Sequence, residues 1–282
     1  MKKIVLFGSS GCFGTAFSKI CKDINNVNLV ELSHSDIDVL DEKKVYDCIN
    51  TLQPDVVINA VSIVGINPCE EKPDLSFSIH ATAVRSMAIA SEKANAIFVQ
   101  TSSHAIFDGT SDVPYVESDI PNAGSIYAVS KYSGELIASM WCKKHYIVRF
   151  PTMYGPRRNK SFGFVDKVIS WLHEGSELNI ASDKIDSPTY SLDAALAVYD
   201  IIDKDMPYGI WHIANDGVVS YYDFVVRLSK LLNCNNVINP SKDSDFPGLA
   251  PKPLYTALTT EKKLPIRPWN IALLDYVKTL NK

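Results

Sequence analysis

The stretch Met1-Lys2-Lys3-Ile4-Val5-Leu6-Phe7-Gly8-Ser9-Ser10-Gly11-Cys12-Phe13-Gly14 decides the fold. Ile4 to Phe7 is an apolar run of strand length, and it breaks at once into glycines at 8, 11 and 14. Behind them Phe13, Phe17, Ile20 and Cys21 recur at helical spacing, so the order is buried strand, glycine turn, amphipathic helix. That order brings backbone N–H groups and the positive end of a helix to one point, where a pyrophosphate can sit. Gly8 allows the tight turn, Gly11 lets a ligand approach the backbone, and Gly14 lets the helix pack against the strand.

The rest of the chain is consistent with a soluble α/β protein. Its 282 residues are 46% hydrophobic and 21% charged, with a net charge of −4. Lys and Arg are scattered, which points away from nucleic acid and from a membrane surface. A negatively charged ligand must therefore be met locally. The six cysteines form no CxxC pair and no metal-ligand spacing, which predicts reduced thiols, a cytoplasmic protein and no metal site. Lys2, Lys3 and the apolar run imitate a leader, but the run ends too soon at Gly8 and nothing like a cleavage site follows.

Apolar strands at 3–7, 27–32, 55–59, 96–101 and 145–149 alternate with helical stretches near 12–23, 42–51, 74–94 and 126–143. This rhythm predicts a doubly wound parallel sheet of the Rossmann type over residues 1–150. After Arg149 the rhythm changes. A helix near 163–174 is followed by short elements, a strand at 212–214, a helix at 221–232 capped by Ser220, and a C-terminal helix near 269–280. Residues 239–253 hold four prolines and read as a long surface loop. Residues 151–282 are expected to form mostly a smaller substrate-binding lobe, with some segments returning to the core.

Ligands of open α/β sheets bind at the carboxyl ends of the strands. There, strand 96–101 ends in Thr101-Ser102-Ser103-His104, and the next long helix carries Tyr127 and Lys131 at i, i+4 on one face. An ammonium one turn away is expected to lower the tyrosine pKa and make Tyr127 a proton donor and acceptor near neutrality. The order of glycine turn, hydroxyl-ended strand, then Tyr and Lys resembles the extended short-chain dehydrogenase/reductases. Within them the chain is most similar to the dTDP-4-dehydrorhamnose reductase group. The similarity runs through Asp36–Asp41, Asp55–Ala60, Ser102–Gly109, Ser187-Pro188-Thr189-Tyr190 with Asp193, and Pro268-Trp269.

The resemblance implies reduction of a nucleotide-linked 4-keto-6-deoxysugar, with Ser103, Tyr127 and Lys131 as the catalytic set. Gly8, Ser10, Gly11, Cys12, Phe13, Gly14, Ser33, His34, Asp38, Val39, Ala60 and Val61 are implied as the cofactor site, together with Tyr127 and Lys131. The cofactor is NADP or NAD. Ser33 and His34 at the end of the second strand favour NADP, provided Glu31 points away. His104, Thr152, Arg157, Pro188 and Thr189 are expected to face the sugar nucleotide.

The substrate-facing residues depart from the group's pattern. His104 replaces an Asp, Thr152 replaces a Trp, residues 63–67 lack the usual loop sequence, and His80 replaces a helix Asn. His104 reads either as packing on the opposite face or as a second acid/base. Arg157 and Arg158 read either as a diphosphate site or as a solvated pair. His80, His145, His173 and His212 read as structural, and Phe164 and Trp171 as core. A nucleotide-sugar epimerase and a non-catalytic dinucleotide-binding subunit are the competing functions. Homodimerisation through the 74–94 and 126–143 helices follows by analogy.

Overall fold

A computed structural model describes residues 1–158 and 163–280. The first strand, β1 (Lys2–Phe7), is buried on both faces because its side chains alternate between two cores. Ile4 and Leu6 pack beneath α1 (Cys12–Lys22), joining Phe13 and Phe17, while Val5 and Phe7 enter the opposite core. That second core takes Val45 and Ile49 from α2 (Glu42–Leu52), which follows β2 (Val27–Leu32). Next come β3 (Val56–Asn59), the short helices α3 (Ile66–Glu71) and α4 (Pro73–Phe77), and α5 (Ala83–Lys93). Then β4 (Ile97–Ser103) leads to α6 (Ile126–Trp141) and β5 (His145–Phe150).

The second half contributes β6 (Met153–Tyr154), α7 (Phe164–His173), β7 (Leu178–Ala181), β8 (Ile185–Asp186), β9 (Thr189–Tyr190) and α8 (Ser191–Asp203). It ends in β10 (Gly209–His212), β11 (Val219–Ser220), α9 (Tyr221–Leu231), β12 (Ile238–Ser241) and α10 (Trp269–Leu280). The main sheet is six-stranded, ordered β10-β5-β4-β3-β1-β2, with every pair parallel. From β1 the chain winds outward to β2 and then inward to β3, so the strand order reverses between β1 and β3. A crevice opens at such a switch point, at the carboxyl ends of the strands.

Four expectations need revision. The helix at 74–94 is broken: residues 78–82 form a π-turn between α4 and α5. The bulge drives the His80 carbonyl against α6, where a Cβ on Gly134 would lie 2.2 Å from it. Residues 191–203 are a full helix whose buried Ala194, Ala195, Val198 and Ile201 cover β1 from the α1 side. The strand expected at 212–214 lies at 209–212 and is the sheet's edge strand. Part of the 239–253 loop is strand β12, paired with β7.

The short pairs β6–β9, β8–β11 and β7–β12 hold the second half together around its own apolar core. Tyr154, Tyr190 and Tyr276 pack there with ring centroids 5.2 to 5.7 Å apart.

Candidate active site

The glycine turn forms a cradle at the switch point. Gly8 has a φ of +81°, and a Cβ there would stand 2.6 Å from the Ala60 carbonyl carbon. A Cβ on Gly14 would stand 2.3 Å from the Gly8 oxygen. Helix α1 begins at Gly11 with no side-chain cap, so its first N–H groups are left for a ligand. A cleft of about 190 Å³ runs from this turn across Ser10 and Gly11 to Ser33, His34, Ile37, Val39, Ala60 and Val61. Asp38, expected beside it, is instead exposed and accepts a hydrogen bond from its own turn at Leu40 N, 3.0 Å away. Ile37 lines the cleft in its place, and nothing in the local sequence distinguished the two.

Glu31 is drawn away from the cleft by Arg158, whose guanidinium also donates to Ser9 O at 2.6 Å and Ser18 Oγ at 3.0 Å. Arg158 therefore ties the second half of the chain to the glycine turn rather than forming half of an anion site.

A second, larger cleft of about 420 Å³ continues from Gly11, Cys12, Phe13 and Gly14 to the end of β4. Ser103, Tyr127 and Lys131 all line it. The Ser125 hydroxyl caps α6 by accepting from Ala128 N at 3.2 Å, and Glu70 accepts from Ile126 N at 2.7 Å, which fixes the turn that carries Tyr127. Lys131 is buried and donates to Thr101 O at 2.6 Å. Burial pushes its pKa down to about 8, opposed by Glu135 one turn further on. A buried ammonium has three donors, and this one makes a single hydrogen bond among the described residues, so the site suits a ribose hydroxyl.

The Tyr127 pKa is raised, not lowered as its spacing from Lys131 suggested. Desolvation in the cleft is the largest cause, and the Ser103 and Ser62 hydroxyls offset it only in part. The protein thus holds the phenol as a neutral acid, the form that can give up a proton.

Sequence reasoning missed Ser62, whose hydroxyl lies 3.0 Å from His80 Nε2. Ile63 N also donates to Nε2 at 3.0 Å, so that nitrogen carries no proton. The His80 proton then sits on Nδ1 and points to Ser130 Oγ at 2.8 Å, and Ser130 in turn donates to the Tyr127 carbonyl. His80 is structural in the sense expected, and what it braces is the helix that carries Tyr127 and Lys131.

On the open side of the cleft lie His104, Thr152, Arg157, Phe164, Lys184 and Tyr221. His104 shares a cavity with Ser103 and does not face away. Thr152 bonds the Tyr221 hydroxyl at 2.7 Å, and Arg157 pairs with Asp166 at 3.0 Å. Phe164 packs on Tyr221 with centroids 4.8 Å apart, at the edge of the second half's core, and also lines the cleft, while Trp171 is exposed. Pro188 borders a narrow apolar recess beside Thr152 and Asp186.

Thr189 is corrected from substrate contact to scaffold. It is fully buried, donates to Ser187 O at 2.9 Å and accepts from Asn215 N at 2.9 Å. Its proton goes to Ser187 and a lone pair to Asn215, so the hydroxyl is engaged inside the scaffold, and Thr189 does not line the cleft. Among the described residues no cluster could hold a metal, and no helix is long and apolar enough to cross a membrane.

The family model described as the RmlD substrate binding domain matches residues 1–282. The spore coat polysaccharide biosynthesis protein SpsK of Bacillus subtilis is 27% identical, over 99% of this chain and 98% of that protein. A dTDP-4-dehydrorhamnose reductase of Aggregatibacter actinomycetemcomitans is 26% identical, over 93% of this chain and 92% of its own. Among solved structures, a dTDP-4-dehydrorhamnose reductase from Clostridium acetobutylicum superposes with a TM-score of 0.94. It is 30% identical and the match covers 99% of this chain and 100% of that one.

Proposed function

Because this chain belongs to the RmlD substrate binding domain family, we propose that it reduces the ketone of a nucleotide-linked 4-keto-6-deoxysugar with NADPH or NADH. The observation that carries this reading is the convergence of Ser103, Tyr127 and Lys131 in one cleft continuous with the glycine cradle. Relatives named dTDP-4-dehydrorhamnose reductase, matched over nearly their whole length, support the substrate class.

Gly8, Ser10, Gly11, Gly14, Ala60 and Val61 are the residues that would hold the dinucleotide, with Cys12 and Phe13 at the helix start and Ser33, His34 and Val39 at its adenosine end. Engagement of Glu31 by Arg158 removes the carboxylate that would select a free ribose, which favours the phosphorylated cofactor. When bound there, the nicotinamide cofactor would supply the hydride for the ketone carbon. Tyr127, held neutral, gives its proton to the oxygen as charge develops there, and Ser103 donates a hydrogen bond to the same oxygen. Lys131 anchors the ribose and keeps a positive charge beneath the phenolate that forms.

His104, from the end of β4, and Thr152, Arg157 and Pro188, from the lobe of residues 151–282, would face the sugar nucleotide. The six free thiols fit a reducing cytoplasm. The exposed stripe of Val129, Leu136 and Met140 along α6, with Trp141 beside it, fits a second copy of the chain.

A panel of nucleotide 4-keto-sugars incubated with NADPH or NADH, followed by absorbance of the reduced nicotinamide, tests the reading. Consumption of cofactor with one keto-sugar is expected. Isomerised sugar with cofactor unchanged would point to an epimerase and sink it. Tyr127→Phe is expected to lose at least a hundredfold in kcat while still binding NADPH. Unchanged turnover in that variant would remove Tyr127 from the chemistry.

A further inference from the structure

His104 follows Ser103 directly and opens onto the same cleft, yet its ring is fixed from behind. Nδ1 lies 3.1 Å from Asp186 Oδ1 and 3.2 Å from Thr256 O. A carboxylate and a carbonyl can only accept, so Nδ1 carries the ring proton. Nε2 is then a bare lone pair, and among the described residues it makes no hydrogen bond. Asp186 is itself buried and held by backbone hydrogen bonds. Ser187 N donates to its Oδ1 at 2.8 Å and Thr152 N to its Oδ2 at 3.2 Å. A buried carboxylate behind an imidazole orients the ring and stabilises the cation formed when Nε2 takes a proton.

We propose that His104, positioned by Asp186, is a catalytic base that removes and returns a proton at a carbon next to the substrate ketone. The proposal rests on the reading that the substrate is a keto-sugar bound between Ser103 and Tyr127. Protons beside a carbonyl are the acidic C–H bonds of such a molecule. The C–H bond breaks and its proton passes to Nε2. Its electron pair becomes the C=C bond of an enolate, and the carbonyl pair moves to oxygen, where Ser103 and Tyr127 donate hydrogen bonds. Reprotonation from Nε2 restores the ketone, with no change of oxidation state. The residue therefore gives the site a proton-exchange activity beside reduction.

The test uses the protein with NADP⁺, which cannot reduce, and dTDP-4-dehydrorhamnose in D₂O, with the sugar's mass followed by mass spectrometry. Deuterium uptake at least tenfold faster than in enzyme-free sugar is expected. His104→Asn keeps a side-chain donor toward Asp186 but removes Nε2, and is expected to lower uptake at least tenfold at an unchanged melting temperature. Asp186→Asn is expected to lower the ratio of exchange to NADPH-linked reduction, which a purely structural role would leave constant. Reduction of the sugar without exchange above the enzyme-free rate overturns the base while leaving the reductase standing. Exchange without reduction supports the base and sinks the reductase; neither activity removes both.

Discussion

Gly14 leaves no room for a methyl group: the nearest atoms to its Cβ position are backbone, at 2.3 Å and 2.7 Å. Backbone cannot swing aside as a side-chain tip can, so Gly14→Ala must push α1 off the turn that Gly8 makes. We expect a loss of about 1–3 kcal/mol in stability and at least tenfold weaker NADPH binding, read by chemical denaturation and by fluorescence titration. Unchanged affinity would mean that the close approach of α1 to the turn does not shape the cradle. This position was legible in the sequence because the reason for glycine is local. Asp38 and Thr189 were not legible, because each had a second use that only neighbours far along the chain, or a turn two residues on, reveal.

Helix α6 carries Tyr127, Lys131 and Glu135 at successive i, i+4 positions, so its single buried face holds an acid, a cation and an anion. Glu135 makes a two-point contact with Arg149 of β5, from Nε at 3.0 Å and Nη2 at 2.7 Å. Both side chains are only 2% exposed. Glu135→Ala leaves a guanidinium buried without its partner, and is expected to cost about 3–5 kcal/mol. A shift in the urea midpoint worth under about 1 kcal/mol would show that water or His212 replaces the carboxylate. Periodicity located α6 because one helix face packs on one sheet. It ran α4 and α5 together, since a π-turn keeps helical spacing on both sides while rotating one against the other. It overlooked α8 because that helix starts directly after a Ser-Pro-Thr-Tyr segment with the look of a loop.

Two buried histidines contribute to how the whole molecule responds to acid. Burial is the main cause holding His80 down to about 3 and His212 down to about 4, against an ordinary value of 6.5. Below pH 6.5 the unfolded chain therefore takes up protons that the folded protein refuses. Stability contributed by the neutral rings is complete above 6.5 and is lost as pH falls toward 4 and then 3. Urea midpoints at pH 7 and 4.5 are expected to fall with acid, and His80→Asn is expected to flatten that fall. An equally steep fall in the variant would show that His80 does not drive it.

The sequence by itself determined the sheet, its glycine cradle and the placing of Tyr127 and Lys131 on one helix face, because strand alternation, helix spacing and glycine sterics act within a few residues. Tertiary structure alone decided the surroundings in which those groups sit. Desolvation raised the Tyr127 pKa where its sequence neighbour argued for the reverse. A carboxylate 82 positions away turned His104 toward the cleft and selected its tautomer. Burial and hydrogen bonding are properties of packing, and packing joins residues that the chain keeps apart.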